Sequence, residues 1–250
     1  MATLKTESAG VCAACGTRVL KAQMTKHLKS CLMRDRTGEL AAGLTKRQVR
    51  YFHIVAEGAE FPEYWLHLDL RANTRLSSLD DFLRNIWLEC CGHLSKFSIR
   101  GVEYVSYDPR EDPFDGDEDL RRLTAKVDAV LQPGTRFTHE YDFGSTTYLK
   151  LRVVSERLGL YRRDPVRLLA RNDPPDRACA VCGKPSTRVC TTCIYSDLPA
   201  WYCGDKACQE HHTCQDLSGP YWLPVTNSPR VGQCGYTGWV NWDDGDEGGE

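Results

Sequence analysis

The chain opens with four metal-ligand donors in sequence, Cys12-x2-Cys15-x11-His27-x3-Cys31. Tetrahedral zinc takes four such groups, and a Cys-x2-Cys turn followed by a His-x3-Cys pair supplies them. His27 and Cys31 stand four residues apart, so on a helix both project from one face. Gly16 suits the tight turn after the cysteine pair, and Val19, Leu20 and Leu28 provide the small apolar core such a segment needs.

A second constellation is denser. Cys179-x2-Cys182-x7-Cys190-x2-Cys193-x9-Cys203-x4-Cys208 is followed by His211, His212 and Cys214. Seven cysteines and one histidine make eight donors, enough for two closed tetrahedral sites. Pairs alternating in this way predict a cross-brace, in which the first and third pairs share one metal and the second and fourth the other. The sequence leaves His211 or His212 as the nitrogen ligand; His212 is preferred because His212-Thr213-Cys214 keeps a short ligand pair. Each site is filled by protein, whereas catalytic zinc keeps a position open for water. The expected cofactor is therefore structural Zn2+, three ions per chain, and folding of both segments should depend on it.

The composition supports thiolate chemistry over disulfides. Thirteen cysteines occur in 250 residues with 41% hydrophobic content and a net charge of -2. Disulfide scaffolds are usually short and secreted, and residues 1–10 lack the apolar core of a signal peptide. No apolar run approaches bilayer length, so a cytoplasmic chain with no membrane association is expected. Three cysteines remain. Of these, Cys90 falls on an apolar helical stripe and reads as a core residue; the others are Cys91 and Cys234.

The elements that must position these groups lie between them. Residues 64–70 alternate apolar and polar, predicting a strand with one buried face. Ser78-Leu79-Asp80-Asp81 resembles a capping box, opening a helix with Leu79, Phe82, Leu83, Ile86, Trp87 and Cys90 on one stripe and a stop near Gly92. Residues 96–105 predict a strand kinked at Gly101. An acidic loop follows at 108–119, without the EF-hand glycine. Leu120, Leu123, Val127, Val130 and Leu131 predict a second helix, and residues 137–143 and 148–154 a hairpin around Gly144-Ser145-Thr146. The expected class is α+β: a mostly antiparallel sheet with helices on one face, flanked by two small zinc-binding modules. The divisions are a basic finger at 1–36, a linker at 37–50, the α+β domain at 51–171, a zinc module with extension at 172–242 and an acidic tail at 243–250. The finger is expected to fold independently. Tyr221, Trp222, Leu223, Tyr236, Trp239 and Trp242 need a surface, so 172–242 is expected to pack back onto the α+β domain and to bury Cys234.

Three resemblances can be stated on these residues. The first constellation resembles a ββα finger with Cys in place of the last His and one residue fewer between the pairs. The second resembles the MYND and B-box interaction fingers, including Tyr202 before Cys203, with a different Cys203–Cys208 gap and a shorter run to the last ligand. Leu79–Gly92 with His93-Leu94-Ser95-Lys96-Phe97, then Phe137-x3-Tyr141-Asp142-Phe143-Gly144, resembles the plasmid pRi open-reading-frame-three-like family, also described as an insertion-element TnpR-type passenger family. That resemblance covers roughly residues 50–155. Where relatives continue with an acidic residue, Trp and His, this chain has Ser145-Thr146-Thr147-Tyr148-Leu149. A zinc-bearing subgroup resembles the stretch from Leu168 to Gly238. The resemblance implies a fold and a mobile-element setting but no activity.

Function is expected to be binding. Closed zinc modules present rigid surfaces, and the MYND-like one points to a protein partner. Arg18, Lys21, Lys26, Lys29, Arg34 and Arg36 make the first finger basic enough for phosphate contacts, although a single finger spans only about three base pairs. The alternative is an enzyme using His93, His139 and Asp142, with Cys91 nearby. No nucleophile elbow, P-loop, HExxH or dinucleotide fingerprint accompanies them.

Overall fold

The structure, a computed structural model, describes residues 8–41, 47–108 and 120–238, with side chains described to Met33 in the first stretch. The acidic tail, Trp239, Trp242, most of the acidic loop, residues 42–46 of the expected linker, and the Arg34 and Arg36 side chains lie outside the described residues. The chain forms two units, Met1–Phe82 with His93–Pro175, and Leu83–Gly92 with Asp176–Glu250.

The first unit is built on a ten-stranded sheet. Its strands in chain order are β1 (Ala9–Cys12), β2 (Arg18–Leu20), β3 (Gln48–Gly58), β4 (Trp65–Arg71), β5 (Ser95–Ile99), β6 (Val102–Val105), β7 (Leu120–Arg122), β8 (Arg136–Tyr141), β9 (Thr147–Leu160) and β10 (Val166–Asn172). Their spatial order is β2-β1-β10-β4-β3-β9-β8-β5-β6-β7. Only the β6–β7 pairing is parallel. The fold is α+β with a large, mostly antiparallel sheet. Helices are few: α1 (Lys21–Ala41), α2 (Leu76–Leu83) and the single turn α3 (Val127–Val130).

The finger is not a separate body. Gly10, Val11 and Cys12 pair with Asn172, Arg171 and Ala170, which makes β1 a strand of the sheet. Gly10 is required there: a Cβ would lie 2.1 Å from the Arg171 carbonyl oxygen and 2.7 Å from the Trp65 ring. Met24, Leu28 and Leu32 recur at four-residue intervals along α1, and that stripe packs with Trp65, Leu169 and Ala170. An independent finger would leave these side chains in water, so burial decides against the expected 1–36 boundary. Within the expected linker, α1 runs on to Ala41 and β3 begins at Gln48.

Other expectations shift for local reasons. The kinked strand at 96–105 is a hairpin: Arg100 and Gly101 both have positive φ (53° and 82°), the backbone of a tight two-residue turn. The second expected helix begins as β7 paired with β6 and turns helical only at α3; ladder hydrogen bonds outweigh its apolar periodicity. β3 and β10 were not anticipated. β3 is a buried interior strand between β4 and β9, and a strand apolar on both faces lacks the alternation that marks half-buried ones. For the same reason the expected polar face of β4 is buried too, His67 and Asp69 being 2% and 1% exposed. α1 covers this face. α2 lies over the opposite one, where Asp80 bonds His139, and it is joined to α3 through Leu76 N–H to Ala125 O and Val127 N–H to Thr74 O.

The second unit holds a small antiparallel sheet, β12-β11-β13, from β11 (Arg188–Cys190), β12 (Trp201–Tyr202) and β13 (Trp222–Pro224), with the short helix α4 (Lys206–Glu210). The expected long helix ends at Leu83 and passes into a π turn at Arg84–Leu88 that belongs to this unit. The extension after β13 packs on that turn: Ser228 Oγ donates to the Trp87 carbonyl at 2.6 Å, and Arg230 Nη2 donates to Cys90 Sγ at 3.3 Å. Cys90 is half-buried and Cys234 exposed, so neither is the core cysteine expected.

Candidate metal centres

Thiolates about 2.3 Å from a tetrahedral zinc stand about 3.8 Å apart, and a thiolate and an imidazole nitrogen about 3.5 Å. A disulfide needs about 2.0 Å. The cysteine contacts of this chain can be read against those lengths.

Cys12, Cys15, His27 and Cys31 offer ligand atoms that all lie within 4.8 Å of one another. Cys12 Sγ is 3.9 Å from Cys31 Sγ, and Cys15 Sγ 3.4 Å from His27 Nε2. Cys12 ends β1, so the sheet fixes it. Gly16, at φ 71°, returns its N–H to the Cys12 carbonyl at 2.8 Å, closing the turn that presents Cys15. α1 carries His27 and Cys31 one turn apart. The electrostatics are those of a crowded anion site. Hydrogen bonding with Thr17 lowers Cys15 to about 6, while burial, and after it the neighbouring thiols, pushes Cys31 up to about 12. A divalent cation relieves that conflict.

The second constellation divides as a cross-brace. Cys179, Cys182, Cys203 and Cys208 form one group, and Cys190, Cys193, His212 and Cys214 the other, each within 4.8 Å. Cys182–Cys203 and Cys190–Cys214 are both 3.7 Å apart, and Cys193–Cys214 4.0 Å. The first turn repeats the finger's design: Gly183, φ 71°, donates its N–H to the Cys179 carbonyl at 3.0 Å. Burial opposes ionisation of Cys179, but the backbone N–H groups of Cys182, Cys203 and Val181 prevail and lower it to about 6. Burial raises Cys208 to about 12.

The choice between the histidines follows from their neighbours. His211 Nδ1 lies 2.6 Å from the Ala207 carbonyl of its own helix. His212 Nδ1 faces the Tyr202 hydroxyl at 3.2 Å, and its ring packs between Tyr202 and Trp222 at 5.0 and 5.1 Å. Its Nε2 is buried without a hydrogen-bond partner. One ring nitrogen oriented by a second-shell group and the other bare is the state of a metal-bound imidazole.

A further group was invisible in the spacing. Cys90, Cys91 and Cys234, all in the second unit, also converge. The signal in the sequence was faint, an adjacent cysteine pair and a third cysteine 143 positions away. Four clusters of Cys and His can thus hold metal among the described residues, and the chain has no disulfide there.

The residues of the alternative site assemble only in part. His139 is fully buried and bonds Asp80 at 2.7 Å, not Asp142. Asp142, at φ 66°, accepts the N–H groups of Gly144 and Ser145 and caps the hairpin turn. His93 Nε2 lies 3.5 Å from Asp142 Oδ2. Two buried groups were also missed. His53 Nε2 is 2.8 Å from His67 Nδ1, and Asp69 pairs with Arg157 and Arg167. Burial lowers the two histidines to about 4 and about 3. Of the finger's basic residues, Arg18 pairs with Asp173 at 2.6 Å and Lys21 reaches the Pro62 carbonyl at 2.6 Å and Glu57 at 3.5 Å. Lys26 and Lys29 are exposed.

No helix among the described residues is long and apolar enough to cross a membrane. No protein-family model matches the chain, and no curated protein does. Among solved structures, a protein of unknown function from Methanosarcina mazei Go1 aligns at a TM-score of 0.38 and 14% identity, over 49% of this chain and 67% of that one, a likeness too slight to carry an argument.

Proposed function

We propose that the chain is a zinc-dependent, non-catalytic binding protein whose three predicted sites, Cys12/Cys15/His27/Cys31, Cys179/Cys182/Cys203/Cys208 and Cys190/Cys193/His212/Cys214, each hold one structural Zn2+. The carrying observation is the spacing of the donors: sulfur pairs at 3.7–4.0 Å match the edge of a zinc tetrahedron and miss a disulfide by far. Tetrahedral sets of three or four thiolates select zinc over oxygen-preferring cations. Four protein ligands per site leave no position for water, which argues for scaffolding over catalysis. The cross-braced module would then present a rigid surface to a protein partner, with Val181, Tyr195 and Tyr221 exposed on its own unit.

Elemental analysis of protein purified without chelator tests this: at least three zinc ions per chain are expected, and a folded, metal-free protein overturns it. Nucleic-acid contact through the finger is a second reading, supported by exposed Lys26 and Lys29 and weakened by the engagement of Arg18 and Lys21 within the unit. Co-purification before and after a high-salt wash separates the two, because phosphate contacts are lost with salt. The mobile-element setting is carried by the family resemblance alone.

A further inference from the structure

Cys90 and Cys91 follow the π turn of the second unit, and Cys234 sits in the extension that packs on it. Cys91 Sγ is 3.4 Å from Cys90 Sγ and 3.8 Å from Cys234 Sγ. The Cys91–Cys234 separation is that of thiolates around one tetrahedral metal, about 3.8 Å, the Cys90–Cys91 one is shorter, and neither is that of a disulfide. A second observation points to charge at the same place. Arg230 is fully buried, and its guanidinium donates from Nη2 to Cys90 Sγ at 3.3 Å. Arginine stays protonated even when buried, and its N–H groups favour an anionic acceptor. A thiolate supplies one; a neutral thiol does so poorly.

We propose that Cys90, Cys91 and Cys234 bind a fourth zinc ion through their three thiolates. The proposal rests on the reading that the quartets hold zinc. The charges balance: three thiolates and Zn2+ leave one negative charge, and Arg230 offsets it. The ion would staple the C-terminal extension to a turn 143 residues earlier, a closure that removes much chain entropy from the unfolded state.

The test is zinc stoichiometry on the full-length chain purified without chelator. Four zinc ions per chain are expected, and three for Cys234→Ser with the circular dichroism of the parent. Three in the parent, unchanged in Cys234→Ser, overturns this site while leaving the proposed function standing; a folded parent with none removes both. If Cys234→Ser fails to fold, Cys91→Ser is scored by the same count. Alkylation and mass spectrometry under non-reducing conditions add an independent reading: a mass deficit of two hydrogens placed between Cys91 and Cys234 or Cys90 makes the cluster a disulfide and overturns the proposal.

Discussion

The two ends of the chain use the same turn, Cys-x2-Cys-Gly with the glycine left-handed, in opposite relations to their surroundings. The N-terminal donors sit on elements that the first unit already holds. β1 is paired to β10, and α1 buries Met24, Leu28 and Leu32 against Trp65, Leu169 and Ala170. The C-terminal donors sit on very little. Their sheet is made of strands of three, two and three residues, and one of their quartets clusters with the buried Tyr202 and the partly buried Trp222. Metal bound in the first case would add to a fold; in the second it would largely be the fold. The same ligand chemistry therefore need not carry the same energetic weight, and surrounding apolar burial decides which.

The largest effect should come from removing metal from the second unit. Structural zinc contributes on the order of 10 kcal/mol to small modules at neutral pH, and little else would hold β11–β13. Cys208→Ala or excess chelator is expected to abolish hydrogen-exchange protection at Val189, Cys190 and Tyr202. Retained protection in metal-free protein would erase the contrast between the two ends.

Cys31→Ser should be milder. The finger loses its metal, but the amides of β1 that pair with β10 are expected to keep partial protection, and β3 and β4 full protection. The reciprocal change, Gly10→Ala, spares every ligand and attacks the docking. With a Cβ 2.1 Å from the Arg171 carbonyl, the strands must separate. Overpacking of this kind costs about 1–3 kcal/mol, or a fall of roughly 2–12 °C in Tm for a chain of this size. An unchanged Tm with β1 protection intact would mean that the pairing is not as close as described.

A pH effect of intermediate size is expected from the buried pair beneath α1. Burial depresses His53 and His67 to about 4 and about 3, against about 6.5 in an unfolded chain. Between those values the unfolded state binds more protons, so stability is full above pH 6.5 and declines as pH falls toward 4. His67→Gln should flatten the difference in urea stability between pH 7 and pH 5 relative to the parent. Zinc loss in acid affects both proteins and cancels in the comparison. Parallel slopes would rule the pair out as the source.

The smallest effect is a control on ligand identity. His211→Ala should leave zinc content unchanged, since its ring bonds only its own helix in the described contacts, whereas His212→Ala should release one ion. The reverse result would reassign the site.

The clustering of the donors was legible in the chain because ligand spacing is local. Cys-x2-Cys and His-x3-Cys spacings are set by one turn of backbone, and the alternation of pairs from Cys179 to Cys214 already implies a cross-brace. β4, β8 and the start of β9 were legible too, since period-two patterns and the turn at Gly144-Ser145-Thr146 are short-range signals. What the sequence could not express was partnership across distance. β3 carries apolar residues on both faces and shows no period, and only its place between β4 and β9 explains why. The finger's membership of the sheet depends on Gly10 meeting Arg171 across the chain. Cys90 and Cys91 have no spacing to Cys234; the π turn and the extension bring the sulfurs together. Hydrogen bonds and ligand turns act over a few residues and are written in order, whereas burial and long-range convergence depend on which surfaces meet, and the tertiary structure alone decides that.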